Sequence, residues 1–159
     1  MHLCELAAIA GGIALLWKSP LAGELLYFWG LAATLNGLIT PTAKLAFPHP
    51  VCISFFWLHA PVVIAAFYWV GGLRRWPRPR AVWRVSLWSL LYMIVAGFYN
   101  YLAQTNFGFL RHKPETASAF DLLGPAPWYV LWVIPVGFVL YSLLYSPFFL
   151  LRKLGKVNA

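Results

Sequence analysis

An uncharged apolar stretch at residues 51–73 constrains this chain more than any other feature of its sequence. It contains no Asp, Glu, Lys or Arg. A helix needs about 20 such residues to cross the hydrocarbon core of a bilayer. His59 lies inside the stretch, and an ionisable group in hydrocarbon is costly unless it is neutral, paired or facing a cavity. The pattern therefore predicts a membrane-spanning helix that turns His59 towards the inside of a helix bundle.

The composition places the whole chain in a membrane. Of its 159 residues 62% are hydrophobic and only 10% are charged, whereas soluble domains are about 25% charged. The net charge of +8 does not indicate a nucleic-acid partner, because the basic residues flank apolar segments, where they act as topology signals. We expect one integral membrane domain over residues 1–159, with no nucleic-acid partner and no cofactor.

Proline and basic residues divide the apolar sequence into five segments. These segments cover residues 3–17, 21–40, 51–73, 82–103 and 128–151. The first is short for a full span. The predicted fold is therefore all-α, a polytopic transmembrane bundle of about five helices.

The distribution of Lys and Arg predicts the orientation of these helices. Nine basic residues fall on the side of the third loop and the C-terminus, namely Lys18, Arg74, Arg75, Arg78, Arg80, Arg84, Arg152, Lys153 and Lys156. Three fall on the other side, namely Lys44, Arg111 and Lys113. Because Lys and Arg accumulate on the cytoplasmic side, we expect a multi-pass protein of the cell membrane with a cytoplasmic C-terminus.

Polar side chains collect at one depth in this topology, in the outer half of the membrane. They are His2, Cys4 and Glu5 in the first helix, Asn36 and Thr40 in the second, His59 in the third, and Asn100, Gln104 and Asn106 at the end of the fourth. Asn36 and Thr40 are four residues apart, and so share a helix face. The pattern predicts a polar pocket open to the outside. In the inner half, Glu24 is expected to pair with Lys18.

Several short motifs stand in a recognisable order along nearly the whole chain. They are HLCE at residues 2–5, YFWG at 27–30, LITP at 38–41, FFWLH at 55–59, NYLAQTN at 100–106, KP at 113–114, DLLG at 121–124 and PWY at 127–129. This order resembles the YwaF-type bacterial integral membrane proteins, which are similar to the eukaryotic transmembrane protein 164 family. The resemblance implies a fold with about two more N-terminal helices than this chain has.

The resemblance also implies an activity. The eukaryotic relatives are implicated in phospholipid acyl transfer through a Cys and a distant His, and they resemble membrane hydrolases of fatty acid esters that use a Thr and a His. His59 matches the second His of that pattern, and His2 matches a His that directly follows the family's Cys. In this sequence Met1 stands at the position of that Cys, and Cys4 is three residues further on.

The leading interpretation is an intramembrane lipid acyltransferase or ester hydrolase. His59 would be the base and either Thr40 or Cys4 the nucleophile, with Thr40 ranked slightly first. A charged His2 could activate Cys4. The expected substrate-binding residues, for a membrane lipid, are Asn36, Asn100, Gln104 and Asn106.

Two alternatives stay open. A metal-dependent hydrolase would use His2 and His59 with help from Glu5 or Asp121. Catalytic zinc needs three protein ligands and an open position, and because two histidines are too few we predict no metal site. The other alternative is a non-catalytic protein that binds lipid, transports a small solute or serves as a partner subunit.

Overall fold

The computed structural model describes residues 2–41 and 45–154. All regular elements in that part of the chain are helical, and they form five rods. The prediction of an all-α bundle of about five helices is confirmed. Lys44 and Lys156, which entered the charge comparison, lie outside the described residues.

The rods follow the chain in order. They are α1 (Leu3–Trp17); α2 (Pro20–Trp29), which continues through a π-helical turn (Gly30–Thr34) into α3 (Leu35–Ile39); α4 (Pro50–Phe67), which continues into a second π-helical turn (Tyr68–Gly72); α5 (Ala81–Ala103); and α6 (Trp128–Lys153). Two short 3₁₀ turns, Phe107–Phe109 and Ala119–Leu123, lie between α5 and α6.

Short cap sequences set the starts of two rods. Ser19 precedes α2, and its Oγ accepts a hydrogen bond from Ala22 N at 3.4 Å. His49 precedes α4, and its Nδ1 accepts from Val51 N at 3.2 Å. A proline follows each cap at the first helical position, where its missing N–H is not needed. The Ser-Pro and His-Pro pairs therefore determine where α2 and α4 begin.

Three of the rods are long and apolar enough to cross a membrane. They are Pro50–Gly72, Ala81–Ala103 and Trp128–Lys153, and α1 is a shorter apolar helix. Their outward surfaces carry large apolar side chains, such as Trp57 and Ile94, which suits contact with lipid. The protein is therefore a membrane protein by the length and composition of its helices.

The rod of α2 forms the centre of the bundle. Leu26 and Phe28 are fully buried within it. The buried alanines of α1 face this rod. A Cβ added at Gly11 of α1 would lie 3.1 Å from a methyl group of Leu26. Small residues at helix contacts allow backbones to approach closely in membranes. This explains why α1 and α2 pack together along their length.

Hydrogen bonds between side chains join this rod to α5 and α6. Trp29 Nε1 donates to Ser89 Oγ at 2.9 Å, and Ser89 Oγ lies 2.9 Å from the hydroxyl of Tyr141. Tyr27 donates its hydroxyl to the carbonyl of Leu144 at 3.2 Å. These polar side chains thus have partners inside the bundle, as a low-dielectric interior requires, whereas the buried hydroxyl of Ser86 on α5 has none in the described part of the chain.

Glu24 has different partners from the one expected. Its carboxylate is 2% exposed and forms ion pairs with Arg78 at 3.0 Å and Arg84 at 2.7 Å. Lys18 instead offers its backbone carbonyl to Arg75, at 3.2 Å. Loop 73–80 folds back over the start of α2 and brings Arg78 to Glu24, whereas Arg84 comes from the first turn of α5. Both partners are distant from Glu24 in sequence.

Candidate functional site

The predicted polar residues lie at the end of the bundle opposite Glu24. His2 caps the start of α1, and its backbone N donates to Glu5 Oε2 at 2.7 Å. Its Nδ1 accepts a weak hydrogen bond from Gly108 N at 3.4 Å, and its ring contacts those of Phe107 and Phe109. His2 therefore joins α1 to the loop that follows α5.

His59 is buried on α4, as predicted, with 9% of its surface exposed. Its Nδ1 lies 2.7 Å from the carbonyl oxygen of Phe55, and its ring stacks on the Phe55 ring at 4.1 Å. A carbonyl oxygen can only accept, so the neutral imidazole carries its proton on Nδ1. The lone pair of a base is therefore left on Nε2.

Helix α3 comes close to this free nitrogen. A Cβ at Gly37 would lie 3.4 Å from His59 Cδ2 and 3.7 Å from Nε2. A larger residue there would crowd the ring. The side-chain amide of the preceding residue, Asn36, makes no hydrogen bond within residues 2–41 and 45–154. The Asn36 amide therefore has unused N–H donors, and Asn36 directly precedes the residue that approaches the imidazole of His59.

His2 lies at the same end of the bundle as His59, whose effect on the pKa of His2 is minor. Burial lowers the pKa of His2, and the carboxylate of Glu5 opposes that shift. Because burial is the larger effect, the neutral imidazole is favoured. A neutral His2 is a weak activator of a neighbouring thiol.

Cys4 lies among three polar groups. Its thiol lies near the hydroxyl of Thr34, a fully buried residue at the end of the first π-helical turn, and that hydroxyl donates to the carbonyl of Trp29 at 3.4 Å. Tyr92 of α5 lies in the same region as Cys4 and Glu5. The sequence did not single out Thr34 or Tyr92 as candidates. The only sequence signal for either residue was a polar atom inside an otherwise apolar helix segment.

The other candidate nucleophile, Thr40, lies just past the end of α3. Its hydroxyl donates to the backbone carbonyl of Asn36 at 3.0 Å, which is a local bond within one helical turn. Cys4 and Cys52 are both free thiols.

The remaining predicted binding residues hold the loop after α5. Asn100 is fully buried, and its Oδ1 accepts from Phe107 N and the Thr105 hydroxyl at 2.7 and 2.9 Å. Its Nδ2 donates to the carbonyl of Phe107 at 2.9 Å. Asn106 Oδ1 accepts from two backbone N–H groups of the same loop. These amides position the loop that contacts His2.

Gln104 differs from its predicted position on the face of the fourth helix. It follows the last residue of α5 with a positive φ of 54°, so its side chain belongs to the loop rather than to the end of the helix. Its Oε1 accepts from Arg111 Nη2 at 2.9 Å.

An apolar cavity of about 710 Å³ opens between α1 and α4. Its floor is made of small residues of α1, and its other wall is the α4 face that carries Trp57, Leu58 and Pro61. All three of these residues are within two positions of His59 in sequence. The shape and lining suit an acyl chain, which is apolar and has no hydrogen bonds to satisfy.

The side chains that could bind a metal ion are dispersed in the described part of the chain. Among residues 2–41 and 45–154, no three His, Cys, Asp or Glu side chains come together. Asp121 instead accepts a hydrogen bond from Ser118 N at 2.8 Å and lies 3.7 Å from Lys113.

Comparison with known proteins gives one match. Residues 1–145 match the TMEM164 family. The chain belongs to this family. Neither the curated proteins nor the solved structures contain a significant match. For this TMEM164 family member, membrane location therefore follows from both the family and the three apolar spans.

Proposed function

We propose that this TMEM164 family member is an intramembrane lipid acyltransferase or ester hydrolase in which His59 is the base. The observation that carries the proposal is the bond from His59 Nδ1 to the Phe55 carbonyl, at 2.7 Å. It orients a neutral imidazole with its lone pair on Nε2. A nucleophile needs such a base, held in place by another group.

Cys4 is the nucleophile that we favour over Thr40. The Thr40 hydroxyl is engaged by the carbonyl of its own helix, whereas Cys4 lies in the cluster that contains Thr34 and Glu5. A thiol is also intrinsically more nucleophilic than a hydroxyl. Because neutral His2 provides little positive charge for a thiolate, deprotonation by His59 during the reaction is the step that the proposal requires.

The reaction would begin with transfer of the thiol proton to His59 Nε2. The sulfur attacks the carbonyl carbon of a lipid ester, and the amide of Asn36 donates to the oxyanion that forms. The ester C–O bond then breaks, the leaving alcohol takes the proton from His59, and the acyl group remains on sulfur. A second alcohol, or water, then gives its proton to His59 and attacks the thioester carbonyl. The C–S bond breaks, the sulfur takes the proton back from His59, and the product is a new ester or a free fatty acid.

Membrane lipids are the proposed substrates. The cavity between α1 and α4 is lined mainly by apolar side chains and is shared with the helix that carries His59. An acyl chain in this cavity would lie beside the catalytic helix without leaving the membrane. Asn100, Gln104 and Asn106 would then contribute by positioning the loop over the site.

The proposal extends to location and subgroup. We propose that the protein lies in the cell membrane with its C-terminus in the cytoplasm, supported by the excess of basic residues on that side. We also propose that it belongs to the YwaF-type bacterial subgroup, on the motifs at residues 2–5, 55–59 and 100–106.

The test is lipid turnover by the full chain reconstituted in phospholipid vesicles. Replacement of His59 by Gln keeps a polar side chain but removes the base, and Cys4→Ser replaces the thiol with a weaker nucleophile. We expect each to reduce turnover by at least about a hundredfold, because general base catalysis alone contributes 10²–10⁴.

Cys52→Ser is the matched control, because Cys52 is the other free thiol and lies on a different helix from Cys4; it should leave turnover unchanged. Loss of turnover with Thr40→Val but not with Cys4→Ser would transfer the nucleophile role to Thr40. Equal turnover in wild type, His59→Gln and Cys4→Ser, all correctly folded, would favour a non-catalytic lipid-binding protein.

A further inference from the structure

The end of the bundle opposite His59 carries a dense positive surface. We call it the basic face and define it by Lys18, Arg74, Arg75, Arg80, Arg152 and Lys153. Three separate segments form it: the turn after α1, loop 73–80 and the end of α6. Arg75 binds the carbonyl of Lys18 and Arg152 binds the carbonyl of Pro77, so these hydrogen bonds hold the three segments together.

In the part of the chain that the structure describes, no acidic side chain forms an ion pair with a residue of the basic face. Within residues 2–41 and 45–154, Glu24 is the acidic residue that forms ion pairs at this end, and its partners are Arg78 and Arg84. Arg75 and Arg152 bind uncharged carbonyl and hydroxyl oxygens. The surface is therefore left with an excess of positive charge next to the membrane.

Three of these basic residues occupy an unusual backbone conformation. Lys18, Arg74 and Arg80 have positive φ angles of 56°, 51° and 60°. Glycine or asparagine adopts this conformation at lower free energy than a long side chain does. Backbone strain of this kind is retained where a side chain has a role, and the role shared by these three is an exposed positive charge.

We propose that the basic face binds the headgroups of anionic phospholipids. Loop 73–80 connects two candidate membrane spans, so it lies at the depth of the headgroups. Trp83, in the first turns of α5, is 62% exposed there, and tryptophan is enriched at that interface. The planar guanidinium group matches the geometry of a phosphate. This binding is independent of the proposed chemistry at His59.

The test uses the purified full chain in detergent, titrated with short-chain phosphatidylglycerol or phosphatidylcholine, with affinity read from the rise in melting temperature. We expect a clear preference for phosphatidylglycerol. The double variant Arg74→Asn, Arg80→Asn should weaken it about thirtyfold, since each basic residue contributes about fivefold. Without lipid, this variant should be at least as stable as wild type, because asparagine tolerates positive φ.

Two controls separate charge from other effects. Arg74→Lys with Arg80→Lys keeps the charge and should retain most of the preference, and Lys113→Asn removes a charge from the opposite end and should change nothing. An unchanged preference in the asparagine variant, or none in wild type, would overturn the proposal. Displacement of phosphatidylglycerol by equimolar inorganic phosphate would also overturn it, since the face would then be a site for a free anion.

Discussion

Replacing Glu24 by Gln tests how the buried carboxylate stabilises the bundle. The carboxylate accepts five hydrogen bonds from Arg78 and Arg84, three at Oε1 and two at Oε2. The amide oxygen of glutamine can keep the first three. Its NH₂ group would face the two donors that now bond Oε2, so at least two hydrogen bonds to a charged group are lost.

The size of the effect follows from those two bonds. Each contributes about 1.5–3 kcal/mol, which gives roughly 3–6 kcal/mol. The arginine side chains are 46% and 33% exposed, so water or headgroups can solvate them again when Glu24 is changed. We therefore expect a loss near the lower end, about 3 kcal/mol of unfolding free energy.

The measurement is unfolding in mixed detergent micelles, with the helix content followed by circular dichroism. Lys18→Gln is the matched control: the Lys18 side chain has no part in the network, and its backbone carbonyl is retained, so the expected change is below about 0.5 kcal/mol. A Lys18→Gln variant as unstable as Glu24→Gln, or a Glu24→Gln variant as stable as wild type, would refute this account of the ion pairs.

Three further predictions concern packing, the loop and topology. Gly23→Ala should destabilise by about 1–3 kcal/mol, measured in the same micelles, because its Cβ would lie 2.1 Å from the Trp69 ring. Asn100→Ala should expose the loop after α5 to protease in reconstituted vesicles while the five helices persist, since the loop loses three hydrogen bonds to that side chain. A cysteine introduced at Arg78 should resist impermeant thiol reagents added outside intact cells, and one at Lys113 should react; the reverse pattern would invert the proposed orientation.

The fold was predictable because bilayer thickness fixes the length of an apolar helix and proline or arginine marks its end. The predicted segment at residues 51–73 corresponds to Pro50–Gly72, and that at 82–103 to Ala81–Ala103. The burial of His59 was predictable for the same physical reason: an imidazole finds hydrogen-bond partners only inside the bundle.

The contacts of the buried polar side chains were harder to predict, because they depend on how the loops fold over the ends of the helices. Sequence proximity suggested Lys18 for Glu24, whereas loop 73–80 supplies Arg78 and the first turn of α5 supplies Arg84. The sequence did not indicate that Gly37 approaches the ring of His59, nor that the side-chain amide of Asn100 binds the loop after α5.

The π-helical turn before α3 has a rotational consequence for His59. A π-helical turn accommodates one residue more than an α-helical turn, and one residue corresponds to about 100° of rotation about the axis. With regular α-helical pitch through Gly30–Thr34, the residues beyond would be turned by that angle, and Gly37 would no longer face the imidazole. The π-helical turn at Gly30–Thr34 thus determines which residues of α3 lie against His59.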